Sequence, residues 1–340
     1  MVVLFGVGWW LLLLLHLQPS EAQVKYCTPP ELGEGTWIRD NRKSKTYVCC
    51  AEGSEKDPVL KEFCPVGLFK DHACVCDEFH GTRLTVSERE KWAWKPSASC
   101  DMMEWNPSAF CDLLGTRKVL FVGDSTMHQT QGAFISMLNW GTNKTTCSSQ
   151  LYHHRIDQFF DHGLDEFKKG FEIYRPDILV MGFGAHYTHR GLNFTPFNAH
   201  IRNLLKALID IKRDHPNLQV VWKTNNPGHV ACHDIKTVAL TPPPTDLTKD
   251  RFFWRYFPEY DSIFNRISES MNLNKEIHIL NVKQLYLRPD SHPGRPATDW
   301  SNGDCLHFCA PGALDIIPIL FAHSMLYNFT TALTNSSVNF

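Results

Sequence analysis

Lys118-Val119-Leu120-Phe121-Val122-Gly123-Asp124-Ser125-Thr126-Met127-His128 is the stretch whose reading decides the fold. Apolar residues run without a break from Val119 to Val122, enough for a strand buried on both faces, and no strand alternation follows Ser125. Ser125 therefore stands at the end of a strand. In an open α/β sheet, ligands bind beyond the carboxyl ends of the strands, and the helix that follows offers free N–H groups to an oxyanion. A serine there is a candidate nucleophile, although Gly-Asp-Ser alone also describes a turn or a helix cap.

A second stretch strengthens the assignment: Asp304-Cys305-Leu306-His307-Phe308-Cys309-Ala310-Pro311-Gly312. A serine hydroxyl needs a general base, and the base needs a partner that fixes its tautomer. Asp-x-x-His supplies both from one turn of chain. With Asp304 accepting from Nδ1 of His307, Nε2 faces a serine brought in by the fold.

The sequence resembles the SGNH/GDSL hydrolase superfamily and, within it, the trichome-birefringence-like proteins, or PC-esterase family. The resemblance rests on Gly35-Thr36-Trp37-Ile38-Arg39-Asp40, then Trp92-Ala93-Trp94-Lys95-Pro96 with Cys100, then the Gly-Asp-Ser block. It continues through Arg288-Pro289-Asp290-Ser291-His292-Pro293-Gly294 to Asp304–Gly312. It implies an α/β fold, an SGNH-like three-layer α/β/α sandwich with a mostly parallel sheet, plus an N-terminal cysteine-rich, disulfide-bonded lobe. It implies an acyl-serine enzyme without a bound cofactor, taking acetyl from a donor the sequence does not name and giving it to a glycan hydroxyl. An O-acetyl esterase would use the same residues with water as acceptor.

The 340 residues are 43% apolar and 21% charged, an ordinary globular composition, and the net charge of -2 with no long basic run gives no sign of a nucleic-acid partner. Val2 to Leu17 is one apolar run followed by Ser20 and Ala22, which reads as a signal peptide over 1–22 cleaved before Gln23. An uncleaved type II anchor, common in the resembled family, is the alternative, and only then would the chain hold a membrane. Either places residues 23–340 in the secretory pathway, in the Golgi lumen or outside the cell.

All 12 cysteines follow that leader: Cys27, Cys49, Cys50, Cys64, Cys74, Cys76, Cys100, Cys111, Cys147, Cys232, Cys305 and Cys309. An even number in an exported chain reads as disulfides, with the pairing open. Cys49-Cys50 and Cys74-Val75-Cys76 lack the spacing of a zinc ligand pair, and His229-x-x-Cys232-His233 has no second pair to complete a site. Asn143, Asn193, Asn328 and Asn335 head N-glycosylation sequons and are expected at the surface.

Residues 23–112 form the cysteine-rich lobe, whose Trp37, Trp92, Trp94 and Trp105 fill a small core or stack on sugar rings. Residues 113–340 form the catalytic domain. Strands are expected at Val119–Val122, Ile178–Met181, Leu218–Trp222 and Ile277–Val282, and helices at Thr126–Leu138, Phe197–Asp214, Tyr260–Met271 and Gly312–Leu326. This alternation predicts a mostly parallel sheet with helices on both faces. Leu240–Asp250 reads as a loop over the cleft.

Ser125 is assigned as nucleophile, His307 as base and then acid, and Asp304 as its orienting partner. Oxyanion donors are the N–H of Ser125, the N–H of Gly184 and the side chain of Asn225 or Asn226; one such donor is worth about 3 to 4 kcal/mol of barrier. The family's usual asparagine after the second strand is Gly182 here, and its Arg-Asn pair after the serine is His128-Gln129. His128, His292 and Trp94 are the candidate substrate contacts, and the remaining histidines read as scattered loop residues. A non-catalytic exported glycan-binding protein is the competing class, and a metal-dependent hydrolase the third.

Overall fold

The computed structural model describes residues 25–40, 79–80, 83–84, 91–138, 146–157, 162–188, 191–232, 235, 237–243, 249–250, 252–292, 304–308 and 312–326. The leader, Asn143, Asn328, Asn335, Cys49, Cys50, Cys64, Cys74, Cys76 and Cys309 lie outside the described residues.

Five strands build the central sheet: β5 Val119–Gly123, β6 Leu151–Arg155, β7 Ile178–Gly182, β8 Gln219–Lys223 and β9 Ile277–Leu280. They lie in the order β6-β5-β7-β8-β9, and every neighbouring pair is parallel. After β5 the chain pairs β6 on one flank and then crosses to β7 on the other. The topological switch point therefore falls between β5 and β7, where open α/β sheets form their crevice.

The side chains alternate between two cores, as the strand period of two requires. Val119 and Phe121 of β5, Ile178 and Val180 of β7 and Val221 of β8 face one side. There they meet α1 Pro107–Leu114, α2 Ser125–Leu138 and α7 Ile316–Ser324. Leu120, Val122, Leu179, Met181, Val220 and Trp222 face the other side, covered by α3 Gly163–Tyr174, α5 Phe194–Asp214 and α6 Phe257–Ser270, with the one-turn α4 Ala185–Thr188 following β7. Trp222 stacks on Phe264 of α6 with ring centroids 3.7 Å apart. In α5, Phe197, Ile201, Leu204, Leu205 and Leu208 make the helical stripe that the sequence spacing predicts. Burying each such side chain contributes about 1.5–3 kcal/mol.

The N-terminal region contributes β1 Gly35–Arg39, paired antiparallel with β4 Trp92–Pro96, and a short ladder of β2 Phe79–His80 with β3 Arg83–Leu84. Trp37 and Trp94 face each other across β1 and β4, edge to face at 5.6 Å. Both belong to the same core as α2 and α7, so this part of the lobe packs as one body with the sheet domain. Three disulfides stand among the described residues: Cys27–Cys100, Cys111–Cys147 and Cys232–Cys305.

Several expectations are corrected here. β6 is an edge strand that carries His153 and His154, which therefore do not sit in a loop. Helices α1 and α3 were not anticipated. The last helix begins with a tight turn at Ala313–Asp315 and becomes α-helical at Ile316. Asn193, expected at the surface, is half-buried ahead of α5, where its amide nitrogen donates to Tyr187 O at 2.9 Å and Gly191 O at 3.3 Å. Of the loop expected over Leu240–Asp250, residues 244–248 lie outside the described residues. Among the described residues no helix is long and apolar enough to cross a membrane.

Candidate active site

Ser125 is the first residue of α2, directly beyond the carboxyl end of β5 at the switch point. Asp124 makes that turn: its Oδ1 accepts from Thr126 N at 2.9 Å and Thr126 Oγ1 at 2.7 Å, a capping arrangement that aims the first turn of the helix. The N–H groups of this turn are those an α-helix leaves without intrahelical partners.

The Asp304–His307 turn comes to the same place from the far end of the chain. His307 Nε2 lies 2.8 Å from Ser125 Oγ, and His307 Nδ1 lies 2.8 Å from Asp304 Oδ2. Asp304 Oδ1 also accepts the N–H groups of Leu306 at 3.2 Å and His307 at 3.0 Å. Burial works to raise the Asp304 pKa, but the His307 hydrogen bond, its charge and the two N–H groups outweigh it and hold the carboxyl well below the usual carboxylate range. Asp304 is thus a fixed anion that holds Nδ1–H and turns Nε2 toward the serine. Ser125 is 5% and His307 8% exposed, so the pair is desolvated yet reachable.

Two ties hold this turn in register with Ser125. Gln129, one helical turn after Ser125, donates from Nε2 to Phe308 O at 2.8 Å and accepts from Phe308 N at 3.1 Å. The amide therefore clamps the helix of Ser125 to the residue after His307. Cys232–Cys305 staples the same turn to the loop beyond β8, where His229 N donates to Cys305 O.

The sheet edge beside Ser125 is crowded. A Cβ at Gly182 would lie 2.8 Å from Lys223 O, so the family's asparagine does not fit there with this backbone. A Cβ at Gly184 would lie 2.1 Å from Asn225 Oδ1, so Gly184 is the seat of the Asn225 side chain. Asn225 Nδ2 donates to Asp261 Oδ1 at 2.9 Å, which engages the amide expected to face the oxyanion. Asn226 is oriented differently: its Oδ1 accepts from the fully buried Lys223 Nζ at 2.8 Å, and its Nδ2 is buried without a hydrogen-bond partner. Burial pulls the Lys223 pKa down to about 8 against the opposing pull of Asp124 and Asp261.

The three expected substrate contacts separate. His128 stands in the first turns of α2 with its ring stacked on His153 at 4.8 Å, half-exposed beside Ser125. His153 is half-buried, and desolvation of its ring, then the charges of His128 and Arg155, brings its pKa down to about 3. His292 is a correction: it is 2% exposed and sits behind His307, its Nδ1 2.7 Å from His307 O. Trp94 is a second correction, because it is 4% exposed and its indole N–H donates to Leu32 O. Trp37 and Trp105 likewise donate to Gln284 O and Met137 O, so these rings serve the core.

His229 and Gln129 are the residues of this neighbourhood that sequence reasoning left without a role. For Gln129 a signal existed, since the i+4 position of a helix lies over the face that carries Ser125. The His229-x-x-Cys232 metal reading is replaced, because Cys232 is disulfide-bonded and His229 Nδ1 lies 2.6 Å from His292 Nε2. No cluster of three metal-ligating side chains occurs among the described residues.

A parallel sheet with a serine at a strand end and an Asp-x-x-His turn beside it is an arrangement suited to an acyl-transferring or acyl-hydrolysing enzyme. Residues 180–324 match the PC-esterase family model, described as the GDSL/SGNH-like acyl-esterase family found in Pmr5 and Cas1p. Ser125 lies ahead of the matched residues and His307 within them. Xyloglucan O-acetyltransferase 3 of Populus trichocarpa is 20% identical over 371 aligned positions, covering 89% of this chain and 86% of the relative. Among solved structures, the acetyl xylan esterase AlAXEase is 16% identical with a TM-score of 0.38, over 64% of this chain and 99% of that one. A GDSL-like lipase from Bacteroides thetaiotaomicron is 14% identical with a TM-score of 0.36, over 62% of this chain and 88% of that one.

Proposed function

We propose that the protein transfers O-acetyl groups to glycan hydroxyls through an acyl-serine intermediate. The observation that carries this is the continuous line Ser125 Oγ, His307 Nε2, His307 Nδ1, Asp304 Oδ2, with contacts of 2.8 Å at both ends of the imidazole. His307 takes the Ser125 proton as Oγ attacks the acetyl carbonyl, and Asp304 stabilises the imidazolium that forms. The tetrahedral oxygen is met by the N–H of Ser125 and by donors beyond β7 and β8, the N–H of Gly184 and the amide of Asn226. The donor's leaving group departs with the His307 proton. A sugar hydroxyl then gives its proton to His307 and attacks the acyl-serine, which restores the enzyme.

The polysaccharide acceptor is supported by the xyloglucan acetyltransferase relative, which aligns along most of both chains. His128, half-exposed three residues after Ser125, is the histidine we assign to substrate contact. The three disulfides fit maturation in an oxidising secretory compartment, Golgi or extracellular.

The test is product analysis. Purified protein from an oxidising secretory host is given nitrophenyl acetate with and without a polysaccharide, beside Ser125→Ala. Acetyl ester appearing on the polysaccharide, absent in the variant, supports transfer. Free acetate at the same rate with and without glycan makes the enzyme an esterase. Glycan binding with no turnover in either protein would leave the non-catalytic binding module.

A further inference from the structure

Behind His307 lie two buried imidazoles that the acyl-transfer steps do not use. His229 Nδ1 is 2.6 Å from His292 Nε2, His292 Nδ1 is 2.7 Å from His307 O, and His229 Nε2 is 3.0 Å from Tyr286 O. Both ends of this chain are carbonyl oxygens, which only accept. Hydrogen bonds at all three contacts need three N–H hydrogens, and two neutral imidazoles carry two.

The pair is neutral near pH 7. Burial pulls the His229 pKa down to about 4, and burial followed by repulsion from His229 holds that of His292 well below the usual histidine value. Asp290 faces His229 and Asp304 faces His292, each favouring a charge, while His307 opposes one on His292. Asp290 is itself gripped by buried Arg288 at 3.0 Å, Tyr286 keeps its hydroxyl proton because burial raises its pKa, and the Phe308 ring packs 4.2 Å from His292. One of the three contacts therefore lacks a hydrogen. Lone pairs facing each other at 2.6 or 2.7 Å repel more than at 3.0 Å, so the contact left without one is that to Tyr286 O.

The geometry points to His229 and His292 as positioning residues for the base, a reading that rests on the assignment of His307 under the proposed function. His229 Nδ1–H donates to His292 Nε2, and His292 Nδ1–H donates to the main-chain carbonyl of His307. Asp304 already holds the N–H and the ring Nδ1 of the same residue. His307 is thus held at three points, and Nε2 is the atom directed at Ser125.

Isosteric amides test the direction of this relay. An asparagine amide occupies roughly the place of Nδ1, and a glutamine amide that of Nε2. His229→Asn and His292→Asn each keep the donation that the replaced ring makes from Nδ1; His229→Gln and His292→Gln each lose it. On a small acetyl ester the two Asn variants stay within about 3-fold of wild-type kcat, and the Gln variants lose about 10-fold and about 100-fold, the order attached to misplacing a catalytic group by about 1 Å. KM is unchanged. Equal losses in the Asn and Gln pairs, or losses that fall on KM rather than on kcat, would overturn the proposal.

Should the variants not fold, 15N spectra of the wild-type histidines decide. Nδ1–H tautomers at both positions uphold the relay, and Nε2–H on His229 refutes it. A wild type inert on the ester refutes the proposed function instead, since these spectra need no turnover.

Discussion

Replacing Gln129 by leucine tests how the nucleophile and the base are kept in register. The side chain is 2% exposed and makes two hydrogen bonds to the main chain of Phe308, at 2.8 and 3.1 Å. Leucine is close in size and helix-compatible, so packing changes little, and what is lost is the pairing of one N–H and one C=O. A buried group left unpaired costs about 1–3 kcal/mol, so a turn that stays in place loses about 2–6 kcal/mol of stability. A turn that instead relaxes to reach new partners carries His307 away from Ser125, and a displacement of about 1 Å costs about 100-fold in rate. The two outcomes trade against each other, so both must be read. The assay is kcat on a nitrophenyl ester together with a thermal melt, and Gln129→Leu is expected to show a lower Tm, a loss of at least about 10-fold in kcat, or a share of each. Wild-type kcat and wild-type Tm in the same variant would refute the clamp.

Asp304→Asn should fold and lose about 10⁴-fold in kcat, because the amide can present its N–H to Nδ1 and favour the wrong tautomer; kcat within tenfold of wild type would remove Asp304 from the mechanism. Replacing Cys232 and Cys305 together by serine should lower stability by about 2–4 kcal/mol and reduce kcat, because the staple closes a separation of 73 residues onto the turn of His307. Opening Cys27–Cys100 should cost stability with less effect on kcat, and the melts and rates of both pairs check the contrast. Asp261 carries a pKa raised to about 7, burial outweighing the hydrogen bonds from Asn225 and the charge of Lys223. A folded value above the unfolded one contributes stability that is complete below about pH 4 and lost as pH rises through about 7. Wild-type Tm should therefore fall between about pH 5 and about pH 8, and Asp261→Asn should flatten that fall; an unchanged slope would assign it to other groups.

The elements that could be read from the sequence were those whose burial imposes a strong local period. The uninterrupted apolar runs of β5 and β7 and the helical stripe of α5 follow from having one or both faces packed. Strand β6 escaped because Leu151-Tyr152-His153-His154-Arg155 is an edge strand with mostly half-exposed side chains. Helix α3 escaped because Gly163, Gly170 and its charged residues dilute the stripe to Phe167 and Phe171. At the site, residue chemistry sufficed to single out Ser125, Asp304 and His307 as residues that should meet, and the fold brings them within hydrogen-bond reach of one another. His229 and His292 are 63 residues apart and carry no local period, so only the fold brings their rings together. Trp94 went the other way: its aromatic face suits a sugar, but pairing with Trp37 across two strands makes it core. Asn225 and Asn226 look equivalent in sequence, and Asp261 and Lys223 separate them by engaging the amide nitrogen of one and the oxygen of the other.

The most direct test of acyl-serine chemistry is the mass of the protein quenched during turnover of nitrophenyl acetate, with peptide mapping and Ser125→Ala alongside. A gain of one acetyl on the peptide containing Ser125, absent in the variant, is the predicted result. Turnover without any acetylated protein, or acetyl on another residue that persists in Ser125→Ala, would contradict it.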